Sequence, residues 1–108
     1  MTREDVVNER QNRFHLADSF LVNKASEFNV PGQALCSRIW KKMEKEVRKA
    51  LDDIFKVETK SYIRIGIKPE KKGGYQFYFG FKDVRSMVEF QRTLDKNIAR
   101  DMGVDLGE

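Results

Sequence analysis

A chain of 108 residues, 40% hydrophobic and 35% charged, is one domain's worth of sequence, and its twelve aromatic residues (eight Phe, three Tyr, one Trp) are too many for a disordered chain. No apolar run approaches the roughly 18 residues a membrane span needs, and the N-terminal stretch MTREDVVNER lacks the apolar segment of a secretory signal. One cysteine and one histidine leave no internal disulfide and none of the usual zinc clusters, so a reducing, cytoplasmic setting is expected.

Thr2, followed three residues later by Asp5, predicts a capped helix start. Val7, Phe14, Leu21 and Phe28 recur every seven residues and share one helical face. Asp18-Ser19 offers a restart, so residues 3–28 form one long helix or two shorter ones, and two are expected. Asn29-Val30-Pro31-Gly32 is a break, because Asn tolerates the left-handed conformation that ends helices and Pro suits the first position of the next. From Gln33, residues Leu35, Ile39, Met43, Val47, Leu51 and Ile54 fall at three- and four-residue intervals, and Cys36, Trp40, Ala50 and Phe55 widen the stripe. A long central helix running to about Phe55 is predicted.

The period then changes to two. Ile63, Ile65 and Ile67 alternate with Tyr62, Arg64, Gly66 and Lys68, while Phe77, Phe79 and Phe81 alternate with Gln76, Tyr78, Gly80 and Lys82. The connection Pro69-Glu70-Lys71-Lys72-Gly73-Gly74 has turn composition, which predicts an antiparallel hairpin with its Ile/Phe face inward. Asp83 is the expected cap of a last helix, with Ser86 and Glu89 a second possible start. Val84, Met87, Val88, Leu94, Ile98 and Met102 are its expected apolar face, Gly103 its stop, and Val104 to Glu108 a fraying tail. The predicted fold is α+β in a single domain, 1–108: two N-terminal helices, a long central helix, a two-stranded antiparallel hairpin and a C-terminal helix.

Catalysis needs grouped functional side chains, and the sequence groups none. His15 has no neighbouring nucleophile, and Cys36 sits beside an apolar stripe, where an inert core thiol is the ordinary case. Asp52 and Asp53 are adjacent on a helix and point about 100° apart. Lys71-Lys72-Gly73-Gly74 joins two strands and lacks phosphate-loop spacing. Neither enzymatic activity nor a cofactor or metal is expected.

The charge is unevenly spread. Counted along the sequence, residues 1–32 carry net −1, residues 33–60 net +3, residues 61–82 net +4 and residues 83–108 net −2, together the overall +4. A basic middle between acidic ends suits an anionic partner. Arg38, Lys41, Lys42, Lys45 and Lys49 follow three- and four-residue spacing, placing them in one stripe opposite the apolar one and within reach of successive phosphates. Lys68, Lys71 and Lys72 put more positive charge at the hairpin tip.

The segment Lys24 to Lys42, KASEFNVPGQALCSRIWKK, resembles the helix-turn-helix of DNA-binding proteins. Ala25 stands where that family has a small residue in its first helix, Asn29 at the turn, Val30 just after it, and Leu35 and Ile39 at the apolar positions of its second helix. Helix-turn-helix followed by a basic hairpin is also similar to winged-helix proteins. The resemblance implies double-stranded DNA as partner, with Gln33, Ala34, Ser37 and Arg38 facing bases in a major groove, and Lys41, Lys42, Lys45, Lys49, Lys68, Lys71 and Lys72 on the backbone. A homodimer through the last helix is a separate expectation of a DNA-binding chain.

The outer face of the hairpin supports another expectation. Tyr62, Arg64, Gln76, Tyr78 and Lys82 interleave aromatic and polar or basic groups. Such a surface suits stacking on single-stranded nucleic acid or, through Tyr62, Arg64 and Tyr78, a protein-binding regulator or inhibitor.

Overall fold

Thr2 begins the first helix as its sequence predicts. Its hydroxyl accepts a hydrogen bond from the Asp5 amide at 3.3 Å, and the Asp5 carboxylate accepts one from the Thr2 amide at 2.8 Å. The computed structural model describes residues 2–27 and 36–107, with the backbone alone at Cys36. Among these residues the elements are α1 (Arg3–Ser26), α2 (Cys36–Phe55), a 3-10 turn (Thr59–Ser61), β1 (Ile63–Pro69), β2 (Tyr75–Phe81) and α3 (Val84–Met102).

The α+β class holds, with three helices among the described residues where four are expected. α1 continues unbroken through Asp18 and Ser19. Both are exposed while Ala17, Leu21 and Ala25, spaced at every fourth position, are buried. Burying that stripe outweighs the weak preference of Asp and Ser for helix ends. The expected seven-residue stripe shifts accordingly: Val6 is buried and Val7 only half so. The Asn29-Pro31-Gly32 break and the predicted helix start at Gln33 lie outside the described residues.

α1 is the spine of the molecule. Its second half lies antiparallel to α2: Arg13 donates to the Ile54 carbonyl at 2.7 Å, the Phe14 and Phe55 rings meet edge-to-face at 5.2 Å, and Lys24 Nζ reaches Glu46 Oε1 at 2.7 Å. Its first half lies antiparallel to α3, through Phe14 and Phe90 at 6.0 Å, Arg10 and Asp95 at 2.7 Å, and Arg3 with the Leu106 carbonyl. Stacking two partners end to end along one helix gives an elongated body, 51 × 22 × 21 Å.

The hairpin register pairs Ile63 with Phe81, Ile65 with Phe79 and Ile67 with Phe77. The Lys82 amide donates to the Tyr62 carbonyl at 3.1 Å and the Glu70 amide to the Gly74 carbonyl at 3.0 Å, so the even-numbered pairs are the hydrogen-bonded ones. Pro69, opposite Tyr75, occupies a position whose missing N–H the ladder does not need. Ile63, Ile65 and Phe77 are buried, and Ile67, Phe79 and Phe81 pack against the same core.

α3 begins at Asp83, whose carboxylate accepts from the Ser86 amide at 2.7 Å, and ends at Gly103 in the left-handed region (φ 70°). Ser86 is therefore in the first turn of that helix and starts no other. The inward face differs from the expected one. Phe90, Leu94, Ile98 and Ala99 are buried, whereas Val84 is 73% exposed, Val88 44% and Met87 39%. Phe90 is the hub, with ring centroids 5.1 Å from Phe55, 5.4 Å from Phe81 and 5.7 Å from Tyr62. The expected fraying tail is partly tied down: Val104 and Leu106 pack against the core and the Val104 amide donates to the Ala99 carbonyl at 2.8 Å.

Asp52 and Asp53 part company, as adjacent helical residues do. Asp52 accepts from the amide and hydroxyl of Thr59, at 2.8 and 2.6 Å, tying the end of α2 to the 3-10 turn. Thr59 is completely buried and has both groups satisfied by this one carboxylate. Replacing Asp52 with Ala should cost about 2 kcal/mol, the scale of losing charge-assisted hydrogen bonds to buried donors. Asp53→Ala, at an exposed position, should stay within about 0.5 kcal/mol. Urea unfolding midpoints of the two variants check the contrast.

Candidate nucleic-acid interface

α2 has two faces of opposite chemistry. Val47, Leu51 and Phe55 are buried against α1 and the hairpin, while Ser37, Arg38, Lys41, Lys42, Lys45 and Lys49 are all exposed. From Arg38 to Lys49 the cations extend about 16 Å along the helix axis. None of the five is ion-paired among the described residues.

Of the acids of α2, Glu44, Glu46 and Asp52 are engaged by other groups, while Asp53 is exposed and has no partner among the described residues. Glu46 hydrogen-bonds Lys24 of α1, and that contact, with Glu27 at 3.2 Å, holds the Lys24 ammonium above its ordinary pKa. Glu44 accepts from Arg48 at 3.3 Å, and Arg48 also donates to the Ile63 carbonyl at 3.2 Å. Arg48 thus covers part of the β1 edge and belongs to the scaffold.

One cation on this side has no signal in the helical period. Lys60, exposed on the 3-10 turn, shares a shallow groove of about 540 Å³ with Lys41, Lys45 and Lys49, which Glu44, Asp52 and Glu58 also line. It is missed in the sequence because it comes after the stripe ends, and only the Asp52–Thr59 tie brings its turn back beside α2.

At the hairpin tip Lys68, Lys71 and Lys72 are exposed. The tip turns through Gly73 and Gly74, both in the left-handed region (φ 94° and 80°) that side chains disfavour. Trp40 packs edge-to-face on Phe77 at 5.8 Å, which joins the beginning of α2 to the tip half of the hairpin. Gln33 and Ala34 lie outside the described residues, as does the rest of the segment joining α1 to α2. The described parts of α1 and α2 run antiparallel.

On the outer face of the hairpin, Arg64 is exposed and Tyr78 is 54% exposed. The Tyr78 ring lies over its cross-strand partner Gly66, where a Cβ would collide with it. Tyr62 does not share this face. Its backbone (φ −124°, ψ −33°) ends the 3-10 turn, so the alternation starts only at Ile63, and its half-buried ring packs on Phe90. His15 is exposed on α1. Among the described residues no group of His, Cys, Asp or Glu is placed to hold a metal ion, and no helix is long and apolar enough to cross a membrane. No protein-family model, curated protein or solved structure matches the chain.

Proposed function

We propose that this is a small, non-enzymatic, cytoplasmic regulatory protein that binds double-stranded DNA through the cationic face of α2. The observation that supports this most is the set of five exposed cations, Arg38, Lys41, Lys42, Lys45 and Lys49, left without acidic partners among the described residues. A duplex backbone is the polyanion such a row fits, since each neutralised phosphate releases a condensed counterion. Ser37 and Arg38, on the first turn, are the described residues assigned to base edges, Arg38 toward guanine. Lys60 and the tip cations Lys68, Lys71 and Lys72 stand next in line for the backbone and steer the duplex toward α2 through their field. Gln33 keeps its proposed base contact from the resemblance alone.

Titrating a fluorescently labelled duplex between 50 and 300 mM salt tests this. Four to five phosphate contacts should give a log–log slope of about −4 and a loss of affinity near a thousandfold across that range. Affinity that does not change with salt would falsify the proposal.

A protein-binding role through Arg64 and Tyr78 is the second reading, favoured by the exposed Tyr78 ring held over Gly66. Tyr78→Ser leaves duplex affinity unchanged if α2 is the binding element.

A further inference from the structure

The outer face of the hairpin carries one aromatic ring in a cationic field. Neither strand contains an acid. The even-numbered residues stand on this face: Arg64, Gly66 and Lys68 on β1, opposite Gly80, Tyr78 and Gln76 on β2. Glycines at two of these positions leave bare backbone around Tyr78, across the ladder at Gly66 and along its own strand at Gly80. The hydroxyl end of the ring lies over Gly66, where a Cβ would collide with its Cζ and Oη, and 54% of the residue stays exposed. Arg64 and Lys68, both exposed, stand two residues to either side of Gly66, about 7 Å each way along the strand. Neither is ion-paired among the described residues. The acids around this face stand at its borders. Asp83 is held by the Ser86 amide as the cap of α3, Glu70 begins the tip turn, and Asp18 of α1 lines a cleft with Tyr78.

Two occupants suit an exposed tyrosine, and the surroundings select one. A protein hot spot is a ring enclosed by further contacts that exclude water, and none of the positions around Tyr78 on this face (Arg64, Gly66, Lys68, Gln76 and Gly80) carries an apolar side chain. An unpaired base asks less: an aromatic ring to stack on, and cations for the phosphates that lead to and from it. We infer that this face binds single-stranded nucleic acid, with one unpaired base stacked on the Tyr78 ring and the phosphates on either side of that base at Arg64 and Lys68. Gly66 gives the ring its seat, and Gly80 leaves the approach beside Arg64 open. A fully paired duplex offers no such base, so the inference is independent of what α2 binds.

Anisotropy titrations with two labelled strands of equal charge test it: hexathymidylate, and an abasic strand of the same length and backbone. Attraction of phosphates to α2 or to the tip cations is common to both strands, so only a contact with a base separates them. The wild-type protein should bind hexathymidylate about tenfold more tightly at low salt, the scale of one stacked base. Tyr78→Phe, which keeps the ring, should retain that ratio, and Tyr78→Ser should bring it to about one. Replacing Arg64 and Lys68 together with Gln should reduce the salt slope for hexathymidylate by about 1.4, the value for two phosphates of a single strand. Circular dichroism confirms that the variants stay folded, as substitutions at exposed positions should. A wild-type ratio near one overturns the inference and leaves this face to a protein partner. A ratio that survives Tyr78→Ser, or a salt slope unmoved by the double variant, overturns it as well.

Discussion

Replacing Lys41, Lys42, Lys45 and Lys49 together with Gln should reduce duplex affinity at 50 mM salt by about two orders of magnitude or more, and flatten the salt slope from about −4 to about −1. The reason is additive. Each lysine that contacts a phosphate releases roughly one counterion, so removing four contacts removes most of the slope. The fold should survive, because all four side chains are exposed and, among the described residues, unpaired. Gln is chosen for its good helix propensity, and because Glu would add like-charge repulsion beside Glu44 and Glu46. Anisotropy titrations at several salt concentrations, with circular dichroism as the control, give the result. Affinity that falls with no change in slope would place the backbone contacts elsewhere, the hairpin tip being the next site.

The second large effect is on stability. Phe90→Ala should cost about 4 kcal/mol, the scale for emptying a large aromatic site in a packed core, and lower the melting temperature by roughly 20 °C. Phe90 is completely buried and its ring meets those of Phe14, Phe55, Tyr62 and Phe81, which belong to α1, α2, the segment before β1, and β2. One residue thus closes four elements around the point where α1 changes partner from α3 to α2. Natural domains are stable by only about 5–15 kcal/mol, so this single truncation takes a large share of the total. Val84→Ala, at a position 73% exposed, should change the melting temperature by no more than about 2 °C. Thermal denaturation of both variants separates the buried side of α3 from the exposed one.

That separation marks where the sequence stops being legible. α3 carries Val84, Met87 and Val88 as well as Phe90, Leu94 and Ile98. Both sets satisfy a helical period, and period alone does not say which side meets the core. The position of Phe55 and Phe81 decides it, and those contacts are tertiary. Local chemistry read well by contrast. The Thr2–Asp5 cap, the Asp83 cap, the Gly103 stop and the hairpin need only near neighbours in the chain. α1 misled because Asp18 and Ser19 are good helix starters in isolation, while the burial of Ala17 and Leu21 that overrides them depends on packing. Tyr62 fits the alternation by spacing alone, whereas the strand begins only at Ile63.

The candidate site divides along the same line. The stripe from Arg38 to Lys49 was visible as spacing. Its lack of acidic partners was not, since Glu44 and Glu46 sit among those lysines in sequence and are drawn off by Arg48 and by Lys24 from another helix. Lys60 joins the groove only through the fold.

The most direct test is an amide chemical-shift titration of the labelled protein with a short duplex at low salt. Shifts concentrated at residues 37–49, with Lys60 and the tip residues 68–72 following, are the predicted result. Shifts gathered instead at Arg64 and Tyr78, or along α3, or none at all, contradict binding through the cationic face of α2.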